Sequence, residues 1–222
     1  MSHLIDVSHQ ITAGMTTYPG LPGPVIEDYL TFEGSQRVYA PGTEFSIARI
    51  SMVANTGTYL DSPAHRYREG ADLADLDLER LADLPGVVVT PGVDTGPVGP
   101  DAFKDVDVEG KAVLIRTGWD RHWRTERYGD PGHPYLTEEG ARALVDGGAT
   151  LAGIDSVNID DTSPESGGAR PSHSTLLAAG IPVVEHLRSL ERLPATGFTF
   201  FAVPVKVRGM GTFPVRAFAV VE

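Results

Sequence analysis

Cysteine is absent from the 222 residues, so neither a disulfide framework nor a thiolate-rich zinc site can be built. Basic residues are scarce: 18 Lys and Arg against 30 Asp and Glu leave a formal net charge of −12. Phosphate binding needs a basic face, so no nucleic-acid partner is expected, and anionic membrane surfaces are equally disfavoured. No run approaches the ~20 consecutive apolar residues of a membrane span. The opening MSHLIDVSHQ has no basic stretch leading into an apolar one, so no secretory signal and a cytoplasmic location are expected. Internal repeats and low-complexity linkers are also missing. What remains is a composition of 41% hydrophobic and 22% charged residues, near the globular average. The length suits one substantial domain, 1–222, with a full core. Any metal here must be held by His, Asp and Glu.

Hydrophobic patterning alternates between strand and helix. LIDVSHQI reads as a short strand, followed by the turn-rich TTYPGLPGP. EFSIARISMVANTG alternates as a strand, with Phe45, Ile47, Ile50 and Met52 on its buried face. Leucines at 73, 76, 81 and 84 in ADLADLDLERLADLPG are spaced for one face of a helix. VVVT (87–90) and AVLIRTG (112–118) are apolar, β-branched runs typical of buried strands. Residues 119–136 form an irregular aromatic segment, a candidate lid or subunit interface. Thr137 can cap the helix EEGARALVD, which ends at Gly147-Gly148. TLAGID is a strand closing on Asp155, whose carboxylate can orient or cap the loop beyond. Ser172 is a plausible cap for HSTLLAAG, and IPVVE, FTFFAVPV and PVRAFAVV complete the strands. The whole reads as one α/β domain richer in strands than in helices.

The segment Ala54–Tyr67, ANTGTYLDSPAHRY, gathers Tyr59, Asp61 and His65 around a Gly and a Pro. His173 opens a helix, and Glu185 lies twelve residues further on at the end of a strand, a length that can bring it back toward the helix start. If Asp61, His65, His173 and Glu185 converge, they form a ligand set suited to zinc or manganese. His3, His9, His122 and His133 read as surface or packing residues. His186 points away from the site if the strand carrying Glu185 continues. Arg116 and Arg216 suit either a substrate carboxylate or an internal ion pair.

Asn55-Thr56-Gly57-Thr58-Tyr59-Leu60-Asp61-Ser62-Pro63-Ala64-His65 resembles His-x-Gly-Thr-His-x-Asp-x-Pro-x-His, the signature of the cyclase family that includes bacterial kynurenine formamidases and isatin hydrolases. Supporting stretches are DVSHQI, YPG, VLIRTGW, PYLTEEGARAL, GIDSVNID, SHSTLLAAGIPVVEHL and PVRAFAVV, which together cover most of the chain in order. The resemblance implies a compact α/β cyclase-like domain of the swivelling β/β/α type, with a β-rich core and flanking helices. It also implies a homodimer or larger homo-oligomer.

Two of the signature's histidines are replaced, by Asn55 and Tyr59. By resemblance those histidines and the Asp form one metal site, which is therefore incomplete here. Asp61, His65, His173 and Glu185 match the neighbouring half. They imply at most one zinc or manganese ion, or none. With a metal, water activated there attacks the carbonyl of a small amide, lactam or lactone, and His65 or Glu185 moves the proton. Without one, Tyr59 and His65 serve a metal-independent cyclase or isomerase, with Asn55 as a second donor to an oxyanion. A third outcome is a small-molecule binder that has lost turnover. Kynurenine formamidase activity itself is not expected, given the missing histidines. Tyr18 and Trp119 match stretches that face the pocket and are expected to touch substrate.

Overall fold

The computed structural model describes residues 2–222. Its strands are β1 (His3–Asp6), β2 (Val25–Leu30), β3 (Ile47–Ser51), β4 (Tyr59–Asp61), β5 (Leu84–Val89), β6 (Pro97–Val98) and β7 (Ala112–Ile115). They continue with β8 (Tyr135–Leu136), β9 (Leu151–Ile154), β10 (Val183–Glu185), β11 (Phe198–Phe201), β12 (Thr212–Pro214) and β13 (Phe218–Val221). The helices are α1 (Phe32–Ser35), α2 (Glu138–Asp146) and α3 (Pro171–Ala178).

Nine strands form one sheet in the order β1-β13-β11-β5-β7-β9-β10-β4-β12. Its centre, β5-β7-β9-β10, is parallel, and both flanks are antiparallel. The central runs AVLI and LAGI are buried at every position because both faces are covered. Val113, Ile115 and Ala152 pack under α2 and α3 through Leu144, Leu176 and Leu177. On the opposite face Ala112, Leu114, Leu151 and Val184 meet Leu187, Leu190, Phe198 and Phe200. Thr137 caps α2 as expected, its side chain accepting the Gly140 N–H. The expected mixed α/β domain, rich in strands, is what forms.

Two expectations fail, each for a local reason. The leucines of 73–84 do not share a helix; Leu73, Leu81 and Leu84 reach the core from irregular chain containing one short turn at Leu78–Arg80. Asp72 accepts the N–H groups of Ala74 and Asp75, and a run of Asp residues offers the backbone such alternatives to a helical ladder. Asp83 then takes φ +57, and Leu84 already belongs to β5.

The second concerns β3. It pairs only with β2, as a two-stranded ribbon apart from the large sheet, and Phe45, Ile47 and Ile50 are about half exposed. Among the described residues no second layer covers them.

At the centre, Asp155 follows β9 as a fastener, and its contacts go to the turn after β7 and not to the loop beyond its own strand. It accepts the Thr117 N–H (2.7 Å), the Thr117 hydroxyl (2.6 Å) and the Gly118 N–H (2.8 Å), tying the end of β9 to the turn after β7. Asp155→Ala strands two buried donors and one half-buried one and is expected to cost about 3 kcal/mol. Urea denaturation should show a lower midpoint at unchanged slope.

Candidate active site

Strand β4 lies between β10 and β12, and its register decides which side chains meet. Tyr59 stands opposite Glu185, and Asp61 opposite Thr212. Successive side chains alternate across a sheet, so Tyr59 and Asp61 face one way while Leu60 enters the core on the other. Immediately after β4, Pro63–His65 makes a single turn that lifts His65 to the edge of the same face. Gly211 packs against the His65 backbone so closely that a Cβ there would collide with it, and this approach brings Thr212 alongside.

His173 arrives in the first turn of α3. The cap of that helix is not Ser172, whose hydroxyl instead donates to the Leu136 carbonyl (2.7 Å). Pro171 occupies the first helical position, and Asp160 caps from a distance by accepting the N–H groups of Ser172 (2.6 Å) and His173 (3.1 Å). The same carboxylate holds His173 Nδ1 at 2.6 Å. A backbone-bound carboxylate can only accept, so the hydrogen sits on Nδ1 and Nε2 keeps its lone pair.

A parallel chain orients His65. The Thr212 hydroxyl donates to Asp61 Oδ1 and therefore accepts from His65 Nδ1 (2.7 Å), which leaves His65 Nε2 as a free acceptor. Among the described residues four buried side-chain atoms lack any partner, His9 Nε2, Ser62 Oγ, Asp61 Oδ2 and His173 Nε2, and the last two face each other at 3.5 Å. That separation is too long for a hydrogen bond.

One donor atom each from Asp61, His65 and His173 lie within 4.8 Å of one another. A carboxylate and two imidazoles, one backed by Asp160, are the donor types that suit zinc or manganese, so the residues fit a divalent cation. Burial disfavours a charged His173, yet Glu185, Asp160 and Asp61 together hold it well above the ordinary imidazole range, so the site attracts a positive charge as proton or as metal.

Glu185 stands beside this trio. Its Oε1 accepts the Ile159 N–H (2.6 Å) and lies 3.6 Å from His173 Nε2, while its Oε2 accepts the Tyr59 hydroxyl (2.7 Å). Both oxygens already have a donor, and Glu185 falls outside the trio whose donor atoms converge. Burial and the nearby Asp61 push its carboxyl up to about 7, with His173 pulling the other way.

The cavity over these groups holds about 470 Å³. Tyr18, Asn55, Tyr59, His65, His173 and Glu185 all line it, as the sequence suggested, with Asp61 forming its buried floor. Trp119 does not join them. It is buried against Tyr128 and Val157, with its indole N–H on the Tyr128 carbonyl, and so stiffens the aromatic segment from within. Arg216 pairs with Asp6 on the surface (3.0 Å).

Four residues carried no signal in the sequence: Asp160 and Thr212, which orient the imidazoles, and Arg66 and Arg170 on the cavity wall; the expectation that His186 points away from the site also fails. His186 sits within hydrogen-bonding reach of Tyr59 (3.2 Å) because β10 stops at Glu185 and the next residue takes φ +56, turning the ring back. The tight spacing of Asp160 and Asp161 within SVNIDDTSP carried no sign that one of them reaches twelve residues forward.

The family model described as "Putative cyclase" matches residues 5–161. Kynurenine formamidase of Salinibacter ruber is 26% identical over 219 residues, covering 96% of this chain and 95% of its own length. Its counterpart in Bacillus cytotoxicus is 26% identical over 217 residues, 97% and 96% of the two chains. Isatin hydrolase A from Labrenzia aggregata, bound to benzyl benzoate, has the same fold, with a TM-score of 0.83 at 22% identity over 99% of this chain and 94% of that one. A structure described as a potential metal-dependent hydrolase with cyclase activity gives a TM-score of 0.79 at 25% identity, over 100% and 99%.

Asp160 serves helix and imidazole together, so Asp160→Ala should lower stability by about 1–2 kcal/mol and weaken any divalent-cation affinity of the Asp61, His65 and His173 trio by about 10–100-fold. Thermal denaturation and competition against a chromophoric chelator measure the two. Lowered stability with unchanged metal affinity would break the connection.

Proposed function

The chain belongs to the cyclase family, and from that premise we propose that it hydrolyses the C–N bond of a small cyclic or aryl amide, or the ester bond of a lactone. The observation that carries this reading is the pair of orphaned buried atoms, Asp61 Oδ2 and His173 Nε2, facing each other beneath a cavity. Buried polar groups without partners are costly, and such a pair persists where something else satisfies it.

Asp61, His65 and His173 would hold one divalent cation, zinc or manganese. Bound there, the ion supplies Lewis acidity: it makes water acidic enough to react near neutral pH and polarises a carbonyl. The chain's own residues do the rest. His173 is kept in its ligand tautomer by Asp160. Glu185, poised to exchange a proton near neutrality, takes one from the attacking water and returns it to the leaving nitrogen or oxygen; His65 at the cavity mouth is the second candidate for that return. The carbonyl carbon gains hydroxyl, the leaving atom gains hydrogen, and a carboxylic acid results. Arg66 and Arg170 line the wall where such a carboxylate would form. Arg66 is anchored on the Ser174 hydroxyl (3.1 Å) and Arg170 on the Asp161 carbonyl (3.0 Å), which leaves each guanidinium oriented.

One contact weighs against the metal-independent cyclase or isomerase. Tyr59 has a single hydroxyl hydrogen, and it is placed on Glu185 Oε2, so the group is not free to donate to an oxyanion. Burial and the carboxylates of Glu185 and Asp61 also push that phenol well above its usual range, so it keeps its proton and is not available as a base. A binder without turnover would share the pocket and is separated from the hydrolase by product formation.

The homo-oligomer implied by resemblance finds support in the β2-β3 arm. Among the described residues, nine of the fourteen exposed large hydrophobic side chains fall between Val25 and Ile50, Tyr29 and Val38 at 73% and 70% exposure. A lone two-stranded ribbon is marginal in water, and an apolar patch of this kind marks an interface. The Glu27–Arg49 pair is closed within the arm. A second copy, arm against arm about a two-fold axis, satisfies the patch with itself.

Three outcomes test these statements. The protein, prepared without a histidine tag, should retain about one equivalent of zinc or manganese by elemental analysis. Asp61→Asn and His173→Ala should lose it together with turnover of N-formyl anilides, lactams or lactones; turnover that survives in both variants would end the metal-assisted reading. Tyr29→Lys combined with Ile50→Glu should convert a dimer to a monomer by light scattering, and a wild-type monomer at micromolar concentration would remove the arm from consideration.

A further inference from the structure

Behind Glu185 runs a file of ring side chains that the reaction above does not use. Tyr128 Oη lies 2.8 Å from His186 Nδ1, and His186 Nε2 lies 3.2 Å from Tyr59 Oη. Tyr59 Oη lies 2.7 Å from Glu185 Oε2. All four residues are buried, Tyr128 most exposed at 3%. Three contacts in a buried row need three hydrogens, and each tyrosine hydroxyl or neutral imidazole has one to give.

The direction of the row follows from its end. The Tyr59 hydroxyl donates to Glu185 Oε2, and while Glu185 is ionised it only accepts, so the Tyr59 hydrogen belongs to it. The Tyr59 oxygen must then accept from His186, which places the imidazole hydrogen on Nε2. Nδ1 is left bare and accepts from Tyr128. Burial, with His9 and His133 nearby, holds His186 well below the ordinary imidazole range, so the ring has only that one hydrogen. The ring is also held by its backbone: the His186 carbonyl accepts the Thr58 hydroxyl at 2.6 Å.

We propose that His186 and Tyr128 are positioning residues, which hold the imidazole as its Nε2–H tautomer and thereby lock the Tyr59 hydrogen onto Glu185. This rests on the hydrolytic reading of the site, in which Glu185 carries the proton. With Ile159 N–H on its other oxygen, Glu185 is then fixed at both ends in the orientation that faces His173. Tyr128 is the informative member. It borders a different cavity, formed with Thr12, Thr17 and Arg124, and does not line the one over Asp61, so its influence on turnover has to pass through His186. Take away its hydroxyl and nothing holds Nδ1 bare. The imidazole can then move its hydrogen to Nδ1 and accept from Tyr59, which releases Glu185.

The first test needs no substrate. Long-range proton–nitrogen correlation spectra of the labelled full-length protein, assigned by the His186→Gln variant, should show Nε2 protonated and Nδ1 bare. A hydrogen on Nδ1, alone or in addition, would reverse or break the row and overturn the proposal, whatever the fate of the hydrolase reading.

The second test uses whichever amide or lactone proves to be turned over. Tyr128→Phe should lower kcat about tenfold, the scale of one charge-assisted hydrogen bond, with KM unchanged. Adding Tyr128→Phe to Tyr59→Phe should cost nothing further, because both act through one hydrogen. Independent, multiplying losses would overturn the proposal. His186→Gln, whose amide offers a donor and an acceptor, should retain more activity than His186→Leu. If the Leu variant does not fold, the tyrosine pair still decides.

Discussion

Everything chemical in this protein depends on the register of one three-residue strand. β4 is held between β10 and β12 so that Tyr59 meets Glu185 and Asp61 meets Thr212. A slip of one residue would turn Tyr59 and Asp61 into the core and Leu60 into the cavity. The register is protected because Leu60 is fully buried among the residues of the sheet's other face. The hydrophobic requirement of one side chain thus sets the position of two polar ones. His65 follows by continuity through the Pro63 turn, and Gly211 allows the neighbouring chain to close over it.

Burying Asp61, Asp160, His173 and Glu185 together is expensive unless each charge finds partners. The structure meets nearly all of that demand with backbone N–H groups and hydroxyls: Ser172 and His173 for Asp160, Ile159 and Tyr59 for Glu185, Thr212 for Asp61. The residue of the demand is concentrated at one spot, between Asp61 Oδ2 and His173 Nε2. That concentration separates this cluster from the surface pairs Arg216–Asp6 and Arg49–Glu27, whose charges remain in water and add little.

The exchange of two signature histidines for Asn55 and Tyr59 reads differently once the fold is known. Tyr59 does not stand empty-handed where a ligand would be. It is joined to Glu185 on one side and to His186 on the other, and Tyr128 extends the row away from the cavity. An ordered network of rings thus stands beside Asp61, His65 and His173, and Glu185 has a fixed neighbour in it.

The amino-acid sequence by itself determined the class of the fold and the identity of most of the cavity. Alternating and continuous apolar runs announced β7, β9, β10, β11 and β13, since strands buried on both faces need little from elsewhere to be recognised. The Thr137 cap and its helix were equally plain, because capping is settled by neighbours in the chain. Asp61, His65, His173 and Glu185 were named from their motifs before their convergence was visible. Only the tertiary structure decided what depends on long-range partners. The leucines of 73–84 lost their helix to local Asp turns, and the strand at 47–51 gained no layer to cover it. Trp119 proved to be packing. Asp160, Thr212 and His186 entered the site through hydrogen bonds that span 13, 151 and 127 residues. Periodicity reports on faces and turns within reach of a few residues. It says nothing about which distant donor a carboxylate will find, and that choice is made by sheet register and by where each strand ends.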